Sequence, residues 1–249
     1  MAACVTPVNA DSAIIYSTGE ALEGECMQFR LLYSGQLLGA SRNSPRASHK
    51  HDIRRTFHPQ LKRLWETNSG LRTLCVEHSG PFLMKHQSDT ALMESIRTEF
   101  TSYEESQEWR RRLGLRYFAD NWDRGGSGFI PLVTEDIAVR CAIDILFLRP
   151  EKPGVLIQSG DLDNRIKTIF DALRLPNNAD ECGGDLPSGD ENPMYCLLED
   201  DKLISDVRVN ADQLLYLPNA TEMDKNDVFL VVDVKVQPIF PNKWSALFS

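Results

Sequence analysis

The sequence predicts an α+β domain with a mixed, mainly antiparallel sheet packed by helices. Two observations predict the sheet. In residues 137–147, Ile137, Val139, Cys141, Ile143, Ile145 and Phe147 fall on every second position, and Val228, Leu230, Val232, Val234 and Val236 do the same near the C-terminus. A third predicts a helix beside it: Ile166, Ile169, Phe170 and Leu173 repeat at i, i+3, i+4 and i+7, the spacing of one buried helical stripe. No internal repeat is present, so the order of elements reads as one meandering domain.

Residues 1–26 are small and polar with little periodicity, and read as a loosely ordered extension to a domain spanning 27–249. MQFRLLYSGQLLG, from Met27, reads as a strand ending in a turn at Ser34-Gly35. The next segment turns helical from Pro59, where Leu61, Leu64 and Trp65 share a face. RTLCVEHS reads as a short strand, and Asp89 as the cap of a helix through Leu92, Ile96, Phe100 and Tyr103. ESQEWRRRLGL continues helical until Gly114, NWDRGGSG is a turn, and the strand at 137–148 closes at Pro150. After the helix that follows DLDN, residues 177–196 form an acidic insertion with no Lys or Arg and the Gly, Pro and Asn content of a flexible segment. LLEDDKLISDVRVN is then a turn followed by a strand.

The chain of 249 residues carries a net charge of -9 and is long enough to bury a full core. No apolar run reaches membrane-spanning length and no signal peptide opens the chain, so the expected setting is the cytoplasm. Six cysteines lack CxxC spacing, which argues against a zinc site or a disulfide framework and suits a reducing compartment. None of the five histidines has a clear metal-ligand partner, and most read as surface residues. Trp65 and Trp109 sit at helical spacing and read as core rather than as base-stacking platforms.

The chemistry concentrates in GDLDNRIKTIFDALRLP, residues 160–176. Asp163 or Asn164 is the natural N-cap of its helix. Asp163, Lys167 and Asp171 are spaced by four and share one edge, and Asp161, in an extended lead-in, points to the same side as Asp163. A cap needs one carboxylate. A second beside it costs repulsion unless a cation lies between. Downstream, Glu199, Asp200 and Asp201 stand together at a turn before a strand. Hard oxygen ligands without a His or Cys cluster point to Mg²⁺, with Mn²⁺ as a substitute. Carboxylates with one lysine suit phosphodiester hydrolysis, in which Lys167 steadies developing charge on the phosphoryl oxygens.

Rival motifs fail. An EF-hand starting at Asp161 would have Arg165 and Ile166 where an oxygen ligand and Gly are needed. An aspartyl-phosphatase motif would follow a buried apolar strand, whereas Gln158-Ser159-Gly160 precede this one. P-loop, dinucleotide-binding and GxSxG signatures are missing.

DLDNRIKTIFDAL followed by EDDKLISDVRV resembles the RusA-like endodeoxyribonucleases, the crossover (Holliday) junction resolvases. That family has DLDN-x-x-K-x-x-x-D-x-L at a helix entrance and a later DD before a strand. The likeness runs from the strand at 137–148 to the strand near 228–236. It implies that Asp161, Asp163 and Asp201 bind Mg²⁺, that Asp200 supports the site, and that Lys167 is the essential lysine. Asp171 is then a polar neighbour. It also implies a homodimer with two sites facing branched DNA, active in recombination and repair.

Between Arg42 and Arg63 the chain holds Arg42, Arg46, Lys50, Arg54, Arg55, Lys62 and Arg63 against the single acid Asp52. This is the expected phosphate-contacting segment, with a solvated helix face as its bland alternative. Two functions follow for test: a structure-selective nuclease, or a catalytically silent nucleic-acid- or protein-binding module that keeps the same fold.

Overall fold

The computed structural model describes residues 27–39, 46–68, 71, 76–78, 115–117, 121–152, 161–215 and 224–240, with 76–78, 115–117 and Asp161 described by backbone alone. The N-terminal extension, Arg42, the helix expected from Asp89, Trp109 and the stop at Gly114 lie outside them.

The expected α+β class holds. Strands β1 (Gln28–Gln36), β6 (Val139–Arg149), β8 (Ile204–Gln213) and β9 (Asp227–Pro238) form a mixed sheet in the order β1-β9-β6-β8. The first two pairings are antiparallel and β6 runs parallel to β8. Alternation decides which face is inside: Val139, Cys141, Ile143, Ile145 and Phe147 of β6 and Val228 to Val236 of β9 are buried at every second position.

Strands β4 (Asp123–Arg124), β5 (Ser127–Val133) and β7 (Met194–Leu198) make a second sheet, and β2 (Val76–His78) pairs with β3 (Leu115–Tyr117). Gly125 and Gly126 join β4 to β5 with φ of 68° and 92°, the left-handed pair that a two-residue hairpin needs. β5 and β7 are buried at every residue, so they carry no alternation to read. Pro131 sits in β5 opposite Cys196 of β7, beyond the two residues that β4 pairs, where its missing N–H leaves no ladder bond broken on that side.

Helix α1 spans Ala47–Thr67 and so begins twelve residues before the expected start at Pro59. Its buried stripe includes His51, Arg54 and His58 beside Ile53, Phe57, Leu61, Leu64 and Trp65. Polar side chains in core positions conceal the helical period. Trp65 is core, as read. Helix α2 spans Asp161–Leu173 and packs against α1 and β7.

The acidic insertion is folded. Short 3-10 turns at Ala179–Cys182 and Gly189–Glu191 shape it, and its last three residues already belong to β7. Gly183 has φ +70°, and a Cβ there would lie 2.6 Å from the Cα of Ser48. Only glycine lets this segment approach the start of α1 so closely.

Candidate functional site

Helix α2 is held at both ends by side chains that do not come from its motif. Near its start Arg165 is buried, donates through Nη1 to the carbonyl of Leu37, and through Nη2 to Asn226 Oδ1 at 2.8 Å. Thr168 Oγ1 donates to the carbonyl of Leu38 at 3.1 Å. At the other end Arg54 of α1 donates through Nη2 to the carbonyl of Asp171 at 2.9 Å and through Nε to that of Arg174 at 3.1 Å. The carbonyls that a helix C-terminus leaves unsatisfied are thus bonded to a buried cation, which also suits the negative end of the dipole.

This anchoring fixes where the motif sits. The helix already includes Asp161, so Asp161 and Asp163 both belong to its first turn. That corrects two expectations: Asp161 is not in an extended lead-in, and neither Asp163 nor Asn164 is the residue before the helix. Residues two apart on a helix project about 200° from one another, so the pair does not share a side by strand geometry. Acidic groups in the first turn also favour the helix dipole without any metal. Asp163 and Lys167 are exposed on successive turns. Asp171 is buried and bridges Lys50 Nζ at 2.7 Å and Arg174 Nε at 3.4 Å, a structural role.

Asp200 caps the 3-10 turn at Asp201–Leu203, its Oδ1 accepting from the Lys202 amide at 2.9 Å. Asp201 is exposed. Both stand by the far end of α2, because Leu175 donates to the carbonyl of Leu198 at 2.8 Å and the charge of Asp201 bears on Arg174. Burial opposes the charge of Arg174, and the Glu181 hydrogen bond together with Glu181, Asp171 and Asp201 outweighs it and raises its pKa. From Asp163 to Arg174 is about 16 Å along the axis at 1.5 Å per residue. The structure therefore does not bring Asp163 and the Asp200-Asp201 pair into one cluster within the chain. Among the described residues no three His, Cys, Asp or Glu side chains are grouped to hold a metal ion.

The basic segment is largely spent on the fold. Arg54 is 1% exposed and cannot touch a phosphate, which corrects its assignment as a nucleic-acid contact. Arg46 Nε donates to the carbonyl of Gly39 at 3.0 Å, and Lys50 is paired with Asp171. Arg55 holds Asp185 at 2.7 Å through Nη1 and Glu191 at 3.0 Å through Nε. Its hydrogen bond to Asp185 raises the pKa of Arg55 and lowers that of Asp185. Lys62 Nζ donates to the carbonyl of Asp190 at 3.3 Å. The acidic insertion is thus the counter-surface of the basic helix. Each explains the other's composition.

Two of the histidines read as surface residues are buried instead. The amide of Tyr195 donates to His58 Nδ1 at 2.9 Å, and Arg54 Nη1 donates to His51 Nδ1 at 3.0 Å. Nothing in their spacing marks them apart from the basic residues around them. No described helix is long and apolar enough to cross a membrane. Set against protein-family models, curated proteins and solved structures, the chain matches none.

Proposed function

We propose that the chain is a Mg²⁺-dependent endodeoxyribonuclease that nicks branched DNA, in the manner of the RusA-like enzymes its motif resembles. One observation carries the reading. Of the charged side chains described on α2, Arg165 and Asp171 are spent on the fold, whereas Asp163 and Lys167 are exposed and make no hydrogen bond or ion pair among the described residues. Residues that the fold does not need stand at two of the positions where the DLDN-x-x-K pattern requires chemistry.

Exposed carboxylate oxygens fit Mg²⁺, which typically takes one or two protein carboxylates and fills its shell with water and substrate phosphate oxygens. When bound, the ion would activate water and neutralise the leaving oxygen. Asp163 would hold it, with water and substrate phosphate oxygens filling the rest of its shell. Lys167 would place its ammonium against the scissile phosphate and stabilise charge that grows in the transition state. Mn²⁺ would substitute.

A catalytically silent binding module is the second reading. Two observations favour it: the Asp200-Asp201 pair lies at the far end of α2, and Arg55 is already paired with Asp185 and Glu191 while Lys62 bonds the backbone carbonyl of Asp190. Four-way, three-way, flap and linear DNA incubated with Mg²⁺ decide between the two. The nuclease reading expects nicking of a branched substrate that Asp163→Asn abolishes. Binding to junctions without nicking supports the module. Asp201→Asn then reports whether the far end of α2 serves the same reaction.

A further inference from the structure

We propose that Arg165 is a positioning residue for Asp163 and Lys167, and that Asn226 is the partner through which it acts. This rests on the nuclease reading, to which it adds how the two side chains are aimed.

Helix geometry places Arg165 opposite the chemistry. Counted at about 100° per residue from Arg165, Lys167 projects at about 200° and Asp163 at about 160°. The two exposed side chains therefore share one face of α2. Arg165 points the other way, at a level along the axis midway between them. Thr168, at about 300°, lies toward the anchored side. Arg165 is 5% exposed and reaches two segments outside α2: Nη1 donates to the Leu37 carbonyl, and Nη2 to Asn226 Oδ1 at 2.8 Å. Thr168 Oγ1 lies 3.1 Å from the Leu38 carbonyl and 3.0 Å from the Asn164 carbonyl of its own helix. Its single proton is shared between the two, so Arg165 is the stronger anchor.

The acceptors are themselves fixed. The Leu37 amide donates to the Asn226 carbonyl at 2.8 Å, and the Asn226 amide donates to Asp224 Oδ1 at 2.8 Å. The Leu38 amide donates to Nε2 of His49 in α1 at 3.1 Å, and Arg46, just before α1, donates to the Gly39 carbonyl. Residues 37–39 are thus tied at once to α1, to α2 and to the turn before β9. Apolar packing alone is not directional and leaves a helix some freedom to rotate about its axis. A planar guanidinium bonded to acceptors on two segments selects one rotation. At a helix radius of about 6 Å with side chains, a rotation of about 10° shifts a carboxylate by about 1 Å. A misplacement of that size can cost about a hundredfold in rate.

Single-turnover nicking at saturating enzyme, on a branched DNA that wild type cuts with Mg²⁺, reads the chemical step. Fluorescence anisotropy with Ca²⁺ in place of Mg²⁺ reads binding of the same DNA. Arg165→Lys keeps the charge without the fork, and should lower the nicking rate about a hundredfold with Kd within about twofold. Asn226→Ala removes the acceptor and should lower the rate about tenfold or more, again at unchanged Kd. Asn226→Asp keeps an oxygen in its place and should nick as wild type does. Gly183→Ala, destabilised at the seat of the acidic insertion, should also keep the wild-type rate while circular dichroism shows it folded. If Arg165→Lys does not fold, the contrast between Asn226→Ala and Asn226→Asp decides. Nicking by wild type with Arg165→Lys and Asn226→Ala undiminished overturns this proposal alone. So does an equal fall in Asn226→Asp or Gly183→Ala, or a weaker Kd at an unchanged rate. A wild type that nicks no branched DNA overturns the nuclease reading, and this proposal with it.

Discussion

Arg54 Nη2 donates to the carbonyl of Asp171 at 2.9 Å, joining the middle of α1 to the last turn of α2. The guanidinium is 1% exposed and bonds a second carbonyl, that of Arg174. Hydrogen bonds from a charged donor contribute about 1.5–3 kcal/mol each, and truncation leaves the carbonyls buried and unsatisfied. Arg54→Ala should therefore lower stability by about 3 kcal/mol or more in urea denaturation. Arg54→Lys should recover little of it, since a single ammonium cannot reproduce the planar fork.

The two buried histidines make stability fall in mild acid. Burial, then the charge of Lys62, lowers His58 from 6.5 to about 4, and burial, then Arg54, lowers His51 to about 4. Folded pKa values below the unfolded ones mean that the unfolded chain binds the extra protons. The stabilisation is complete above pH 6.5 and is lost as pH falls toward 4. His58 adds a slope of up to about 1.4 kcal/mol per pH unit in that window. Denaturation midpoints of His58→Gln should show a flatter pH dependence than wild type between those limits. The protonated ring could not accept the Tyr195 amide.

Gly183 marks the seating of the acidic insertion on α1. A Cβ there would fall 2.5 Å from Ser48 Oγ and 2.7 Å from the Ser48 amide nitrogen, and its φ is +70°. Because a backbone contact cannot rotate away, Gly183→Ala should cost about 2–4 kcal/mol, read as a lowered melting or urea midpoint. Gly184→Ala is the control: no atom lies within 4 Å of its added Cβ, so it pays only for its φ of +88° and should cost less.

Arg55 is engaged by Asp185 and Glu191. If it stays so when DNA binds, Arg55→Ala leaves the slope of log K against log salt unchanged. A phosphate contact at this residue would reduce that slope by about 0.9 for duplex DNA. Fluorescence anisotropy at several salt concentrations measures it.

The sheet strands at 139–149 and 227–238 were legible because each has one buried face, which forces apolar and polar residues to alternate. β5 and β7 were not, because strands buried on both faces show only a short apolar run. The first half of α1 hid behind His51, Arg54 and His58, whose burial depends on carbonyls and amides brought from α2 and β7. The DLDN motif named the residues that the fold leaves unspent, Asp163 and Lys167. It could not say where the Asp200-Asp201 pair lies, since that follows from the end of β7 pairing with the chain just after α2, Leu175 donating to the Leu198 carbonyl. Nor could charge counting show that the acidic insertion and the basic helix neutralise one another.

Asp163 is exposed and its substitution should change stability by less than about 1 kcal/mol, the usual scale for a first-turn carboxylate. Loss of activity in a variant that stable would be chemical rather than structural. The direct measurement is Mg²⁺-dependent nicking of four-way and flap DNA by wild type beside Asp163→Asn and Lys167→Ala, with folding checked by circular dichroism. The account predicts nicking by wild type and at least a hundredfold loss in each folded variant, within the range that one electrostatic stabiliser typically supplies. Undiminished nicking by Asp163→Asn, or no nicking of any branched substrate by wild type with Mg²⁺ or Mn²⁺, would contradict it.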